Sequence, residues 1–179
     1  MAHSPTPPPP PPPDLTFAGT SFHLTQQSNP APGYSKAEYL PRDQQFPHYH
    51  NMLMLEQLSN GLTASHVVQS QLDFLAQRQA SDPVAQHRLI SNEATGEFLL
   101  DFVLSGQDPE RGTLIEWNAY RYSPQTHADG SVGVLLLGYS ARAYGDEEGS
   151  RFLLSLRESR PQMIQALIAA DAFTGGLSG

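Results

Sequence analysis

The sequence predicts an α+β fold: a largely antiparallel sheet with helices packed on it, in an α/β/α sandwich. Three observations carry that prediction. Several strand-like segments have apolar residues on both faces, as strands covered on both sides do. Two other segments repeat apolar residues along one helical stripe. The links between the last four strand-like segments are too short for crossover helices, so those strands pair antiparallel.

Residues 1–16 read as a disordered proline-rich tail, with Pro7 to Pro13 an unbroken run. Such a run favours polyproline II, a stiff spacer of about 3.1 Å per residue. It reads as a stand-off spacer in preference to a groove ligand, because no basic residues flank it. A single domain is expected over 17–174 and a frayed tail over 175–179. TFAGTSFHLTQQ and GYSKAEYLP look like two early strands around the turn-rich SNPAPG. NMLMLEQLS, Asn51 to Ser59, is apolar on both faces in its first half and predicts an interior strand.

Thr63 is a good helix cap. Behind it Ala64, Val68, Leu72, Leu75 and Gln79 share one stripe, and Asp82-Pro83 ends the helix. HRLISNEA, EFLLDFVLS, TLIEWNAYRY and VGVLLLGYSARAY then predict a four-strand meander. Thr95-Gly96, residues 106–112 and Asp129-Gly130 mark its turns. SRFLLSLRESR and PQMIQALIAADAF are helical again, and Pro161 either starts a second helix or kinks one long helix.

The totals narrow the function classes. Eighteen acidic and ten basic residues give a formal net charge of −8. Such a surface repels phosphate backbones, so no nucleic-acid partner is expected. There is no cysteine, which removes disulfides, thiolate metal sites and cysteine nucleophiles. A thiol-free chain suits a periplasmic or secreted address, although no apolar signal region is visible in residues 1–16 and a cytoplasmic protein would look the same. No run of about 18 apolar residues predicts a transmembrane span.

The element order resembles the PsbP-like α/β/α sandwich and small uncharacterised bacterial envelope proteins of that shape. The matching elements are the early strands ending in Tyr39–Pro41, the strand with Met52 and Met54, the Thr63 helix, the meander and the C-terminal helix. Members of that fold mostly act as non-catalytic binding or assembly modules, and the resemblance implies that role by analogy.

Several residue groups are candidates for chemistry. FPHYHN places His48 and His50 two residues apart, a spacing that sends both imidazoles to one side of an extended strand. With His66, Asp43 or Glu56 they form a candidate metal set, but no motif spacing supports it, and a polar loop explains the pair as well. GYSAR lies inside a strand pattern and lacks a nucleophile turn. Asp101 and Glu116, with Glu97 nearby, read either as an acid–base pair or as a solvated sheet face countered by Arg121. GDEEG, Gly145 to Gly149, reads as a helix start whose acids favour the dipole, not as a calcium loop. No glycine loop for phosphate is present, so no cofactor is expected. Trp117, Tyr120, Tyr122 and Tyr139 are assigned to core packing over a ligand pocket.

The functional expectation is a non-enzymatic protein-binding or accessory module of the bacterial envelope, secretion-accessory or toxin-neutralising. Another protein is its expected partner. The candidate recognition loop runs from Arg42 to Asn51, with Phe46, His48, Tyr49 and His50 as contacts. The alternative is a metal-binding protein or metal-dependent enzyme centred on His48 and His50.

Overall fold

A computed structural model describes residues 10–170, in which every strand joins one sheet. In chain order the elements are β1 (Asp14–Phe17), β2 (Thr20–Ala31), β3 (Tyr34–Leu40), β4 (Asn51–Leu58), α1 (Ala64–Gln79), β5 (Gln86–Asn92), β6 (Glu97–Asp108), β7 (Gly112–Thr126), β8 (Val132–Tyr144) and α2 (Asp146–Ala169). The sheet order is β1-β2-β3-β4-β8-β7-β6-β5, antiparallel throughout. It is two meanders joined where β4 pairs with β8. Helix α1 carries the chain from the middle of the sheet to its far edge.

Side-chain alternation sorts the core onto two faces. One holds Leu15, Phe17, Leu53, Trp117 and Leu137 under Ile164 and Leu167 of α2. The other holds Met54, Leu100, Tyr122 and Leu136 under Val68 and Leu75 of α1. The helices therefore cover opposite faces. β4 and β8 lie inside the sheet, as their two-sided apolarity requires.

Thr63 caps α1, its side chain accepting from the His66 N–H at 3.3 Å. The acidic first turn of α2 (Asp146, Glu147, Glu148) faces the positive end of the helix dipole. Pro161 sits inside a single helix, so the choice between one helix and two resolves to one. Lacking an N–H, it gives the Arg157 carbonyl no helical partner. At the far end Arg121 donates from Nη1 to the carbonyls of Leu167 and Ala170, at 3.1 and 2.8 Å.

The N-terminal expectations need correction. Residues 14–16, assigned to the tail, belong to β1, and Leu15 is buried because it points onto the α2 face. The two early strands are three. Ala18 and Gly19 both have positive φ, 50° and 80°, the geometry of a primed hairpin turn, and they split the first segment. β2 then runs through Asn29-Pro30 to Ala31, and the chain reverses at Pro32-Gly33. The expected C-terminal tail, 175–179, lies outside the described residues.

Candidate binding edge and groove

The Arg42–Asn51 loop turns most of its aromatic surface inward. Tyr49 is buried with Leu40 and Met52, and the half-buried Phe46 packs on that cluster. The Phe46 and Tyr49 rings meet edge to face at 5.3 Å. The Arg142 guanidinium lies over the Tyr49 ring at 4.2 Å, and Tyr144 donates to the Tyr49 carbonyl at 2.9 Å. Burial pushes the Tyr49 hydroxyl well above its ordinary range.

His48 reaches the β6–β7 turn, with Nε2 3.1 Å from Asp108 Oδ2 and Nδ1 3.7 Å from Glu110 Oε2. Burial raises the Asp108 carboxyl, but the N–H groups of Glu110 and Arg111 together with His48 outweigh it and hold it below its ordinary value. His50 is exposed, its Nδ1 3.2 Å from the Arg142 carbonyl. Both imidazoles stand edge-on to the Tyr144 ring, at 5.6 and 5.5 Å. The loop is thus latched to β6–β7 and β8. His66 bonds instead with its own cap, Nδ1 3.0 Å from Thr63 Oγ1. Among the described residues no three His, Cys, Asp or Glu side chains group so as to hold a metal.

The carboxylate pair separates. Asp101 stands opposite Ala119 on the α2 face, whereas Glu116 stands opposite Leu104 on the other. Glu116 instead pairs with Arg142 and accepts from Asn118 at 3.0 Å. The backbone thickness of the sheet lies between the two acids, so they cannot share a substrate as acid and base. Glu97 is bound by Arg121 at 2.6 Å, and that guanidinium holds its carboxyl below the ordinary value.

Sequence reasoning passed over the opposite end of the sheet. β5 is its last strand, and all seven residues are exposed. Gln86, Arg88 and Ile90 project on the α2 face, since Arg88 is in register with Asp101. Leu89 and Ile90 are 41% and 50% exposed, one on each face. Along the outer side of β5, alternate residues hold backbone N–H and C=O groups that no strand among the described residues pairs.

Between β5 and α2 lies a groove of about 410 Å³. Its base is Asp101, 4% exposed, which accepts from Arg160 Nε at 2.6 Å and Nη2 at 2.8 Å and from Trp117 Nε1 at 3.3 Å. This ion pair raises Arg160 above its ordinary value. Val103, Leu153 and Leu156 supply apolar walls, and Arg88 and Arg157 stand at the groove as well. The register puts Arg88 directly across from Asp101, yet Arg160 occupies that carboxylate. Among the described residues neither Arg88 nor Arg157 has an ion-pair partner. Three guanidiniums and one carboxylate therefore line this groove in a chain of net charge −8.

A model of an uncharacterised protein family matches residues 10–172. No curated protein and no solved structure matches the chain. Among the described residues no helix is long and apolar enough to cross a membrane.

Proposed function

The chain belongs to the family whose model spans residues 10–172, and from its geometry we propose a non-enzymatic protein-binding module that recruits its partner at the β5 edge. One observation carries this reading: a seven-residue edge strand with every side chain exposed, apolar groups on both faces and, among the described residues, no strand paired to its outer edge. Such an edge is a template for strand addition, in which main-chain bonds supply affinity and side-chain contacts supply selectivity. The groove beside it provides those contacts. The PsbP-like element order and the absence of cysteine support a bacterial envelope setting, periplasmic or secreted, with a secretion-accessory or toxin-neutralising role.

The test uses two baits in an envelope extract of the source organism, wild type and Ile90→Lys, followed by reconstitution with the purified partner. A lysine there sets a charge against any added strand while leaving the buried core alone. A partner bound directly by wild type and lost from Ile90→Lys supports the reading. A partner held equally by both moves the surface elsewhere, and a His50→Ala bait then tests the exposed end of the Arg42–Asn51 loop.

A further inference from the structure

We infer that the segment recruited by β5 is extended and acidic, carrying a carboxylate two residues from an apolar side chain on the face that meets α2. This inference rests on the reading of β5 as the recruiting edge and adds the chemistry of what is recruited.

The first ground is charge. Most arginines in this protein already face a carboxylate: Arg78 with Asp82, Arg121 with Glu97, Arg142 with Glu116, Arg151 with Glu147 and Arg160 with Asp101. Among the described residues Arg42, Arg88, Arg111 and Arg157 have none; Arg111 lies over the Tyr144 ring instead, whereas Arg88 and Arg157 both line one groove. The carboxylate nearest to Arg88 along the sheet is Asp101. It is committed to Arg160 and Trp117, so it has little left to offer a third cation. A planar guanidinium at an open groove is suited to a carboxylate from outside.

The second ground is spacing. On an added strand, a side chain opposite Arg88 lies about 5 Å from it, and the next on the same face is two residues along, opposite Ile90. An acid at the first position reaches Arg88 on the side where Arg157 also lines the groove. An apolar group at the second covers Ile90, now 50% exposed. The same two-residue pattern serves a parallel or an antiparallel segment.

The third ground is that a second copy of the same strand is a poorer occupant. Gln86–Asn92 contains an arginine and a histidine but no acid. Two β5 strands paired antiparallel over their full length would set Arg88 of each copy across from Ile90 of the other, placing both guanidiniums diagonally on one face with no carboxylate from either strand, a like-charge arrangement that costs stability.

The test begins with a phage-displayed library of random dodecamers panned on the intact protein. Selected peptides are synthesised and titrated calorimetrically into wild type and the Arg88→Gln/Arg157→Gln variant, and amide NMR shifts locate them. Both arginines are exposed, so the variant keeps its fold, as circular dichroism checks. Expected are peptides that shift β5 amides, share an acid and an apolar residue at i and i+2, and bind the variant about tenfold more weakly. Replacing the peptide's acid by its amide should weaken binding by a similar factor. Peptides that shift β5 amides without an acid, and bind both proteins equally, overturn this inference and leave the edge reading standing. A library with no binder at β5 overturns both. Concentration-dependent dimers abolished by Ile90→Lys would show that a second copy takes the edge, which also overturns the inference.

Discussion

The two ends of the sheet face one problem, a row of backbone groups without a neighbouring strand, and meet it differently. β1 is four residues long, and two of its side chains, Leu15 and Phe17, are buried under α2. The prolines before it have no N–H to offer, so they shorten the reactive edge. The last two are also held in place: Pro13 accepts from the Leu24 N–H at 2.9 Å and Pro12 from the Tyr39 hydroxyl at 2.8 Å. β5 is longer, buries no side chain and contains no proline. One edge is built into the core and closed. The other is held by its backbone pairing and, among the described residues, left open, which is why the proposed partner is placed there.

The comparison breaks most readily through the core. Phe17 is 3% exposed, and its ring centroid lies 5.4 Å from that of Tyr139. Phe17→Ala should cost about 3–5 kcal/mol of unfolding free energy, as buried aromatic truncations do. Ile90→Ala on the opposite edge should stay within about 0.5 kcal/mol of wild type. Urea denaturation of both variants checks this, and similar losses at the two sites would mean that β5 is no open edge.

β5 buries nothing, and besides its ladder with β6 it is fixed by the turn ahead of it. Asp82 accepts from the Ser105 N–H at 2.7 Å, the Ser105 hydroxyl at 2.6 Å and the Val84 N–H at 3.0 Å, tying the end of the α1 region to β6. Asp82→Ala should cost about 1–3 kcal/mol by orphaning these donors, and hydrogen exchange should speed at β5 amides before others. Burial raises the Asp82 carboxyl, but its bonds to Ser105 and Val84 and the nearby Arg78 outweigh it, so the folded value lies below 3.8. The stabilisation is therefore present above pH 3.8 and is lost as the pH falls through the lower folded value. Asp82→Asn should lack that acid-side loss. Parallel acid titrations of the two proteins would refute the assignment.

Much of this architecture is legible in the sequence, and the failures have identifiable causes. α1 could be read from its cap and stripe, and β4 and β8 from their two-sided apolarity. The early hairpin was missed because Ala18-Gly19 is a weaker turn signal than Asn-Gly or Asp-Gly, although Gly19 needs positive φ. The Asp101–Glu116 pairing failed because adjacency of strands does not fix register, and one step of register moves a side chain to the other face. The groove was invisible for a related reason. Arg88 and Asp101 meet only through β5–β6 register, and Arg160 arrives from a helix 59 residues away from Asp101. The one hint was HRLIS itself, a strand pattern that carries a cation, Arg88, and no acid.

A second buried carboxylate answers Asp82 with the opposite sign. Glu56 is 8% exposed on the α1 face, where Tyr34 donates to it at 2.7 Å and Lys36 lies 3.9 Å away. Burial dominates and raises its carboxyl above 4.5 despite both neighbours. The folded state thus holds this proton more tightly than the unfolded one, and its contribution to stability falls as the pH rises from 4.5 through the folded value. Glu56→Gln keeps an acceptor for Tyr34 and removes the charge, so it should be more stable than wild type at neutral pH and level with it in acid. Denaturant midpoints across that range decide the matter. A variant weaker than wild type at pH 7 would mean that Lys36 and Tyr34 outweigh the burial.

The smallest effect expected tests whether the closed edge depends on its prolines. Tyr39→Phe removes only the hydroxyl that holds the Pro12 carbonyl, and the ring stays in the core. The global cost should be about 0.5–1.5 kcal/mol, the range for one hydrogen bond. The local consequence is more telling. The Leu24 N–H that donates to Pro13 lies next to the released segment, so its exchange should accelerate while β3 and β4 amides keep their wild-type protection. An unchanged Leu24 amide would show that β1 closes its edge through Leu15 and Phe17 alone. The contrast with β5 would then come down to burial, not to the proline segment that precedes the strand.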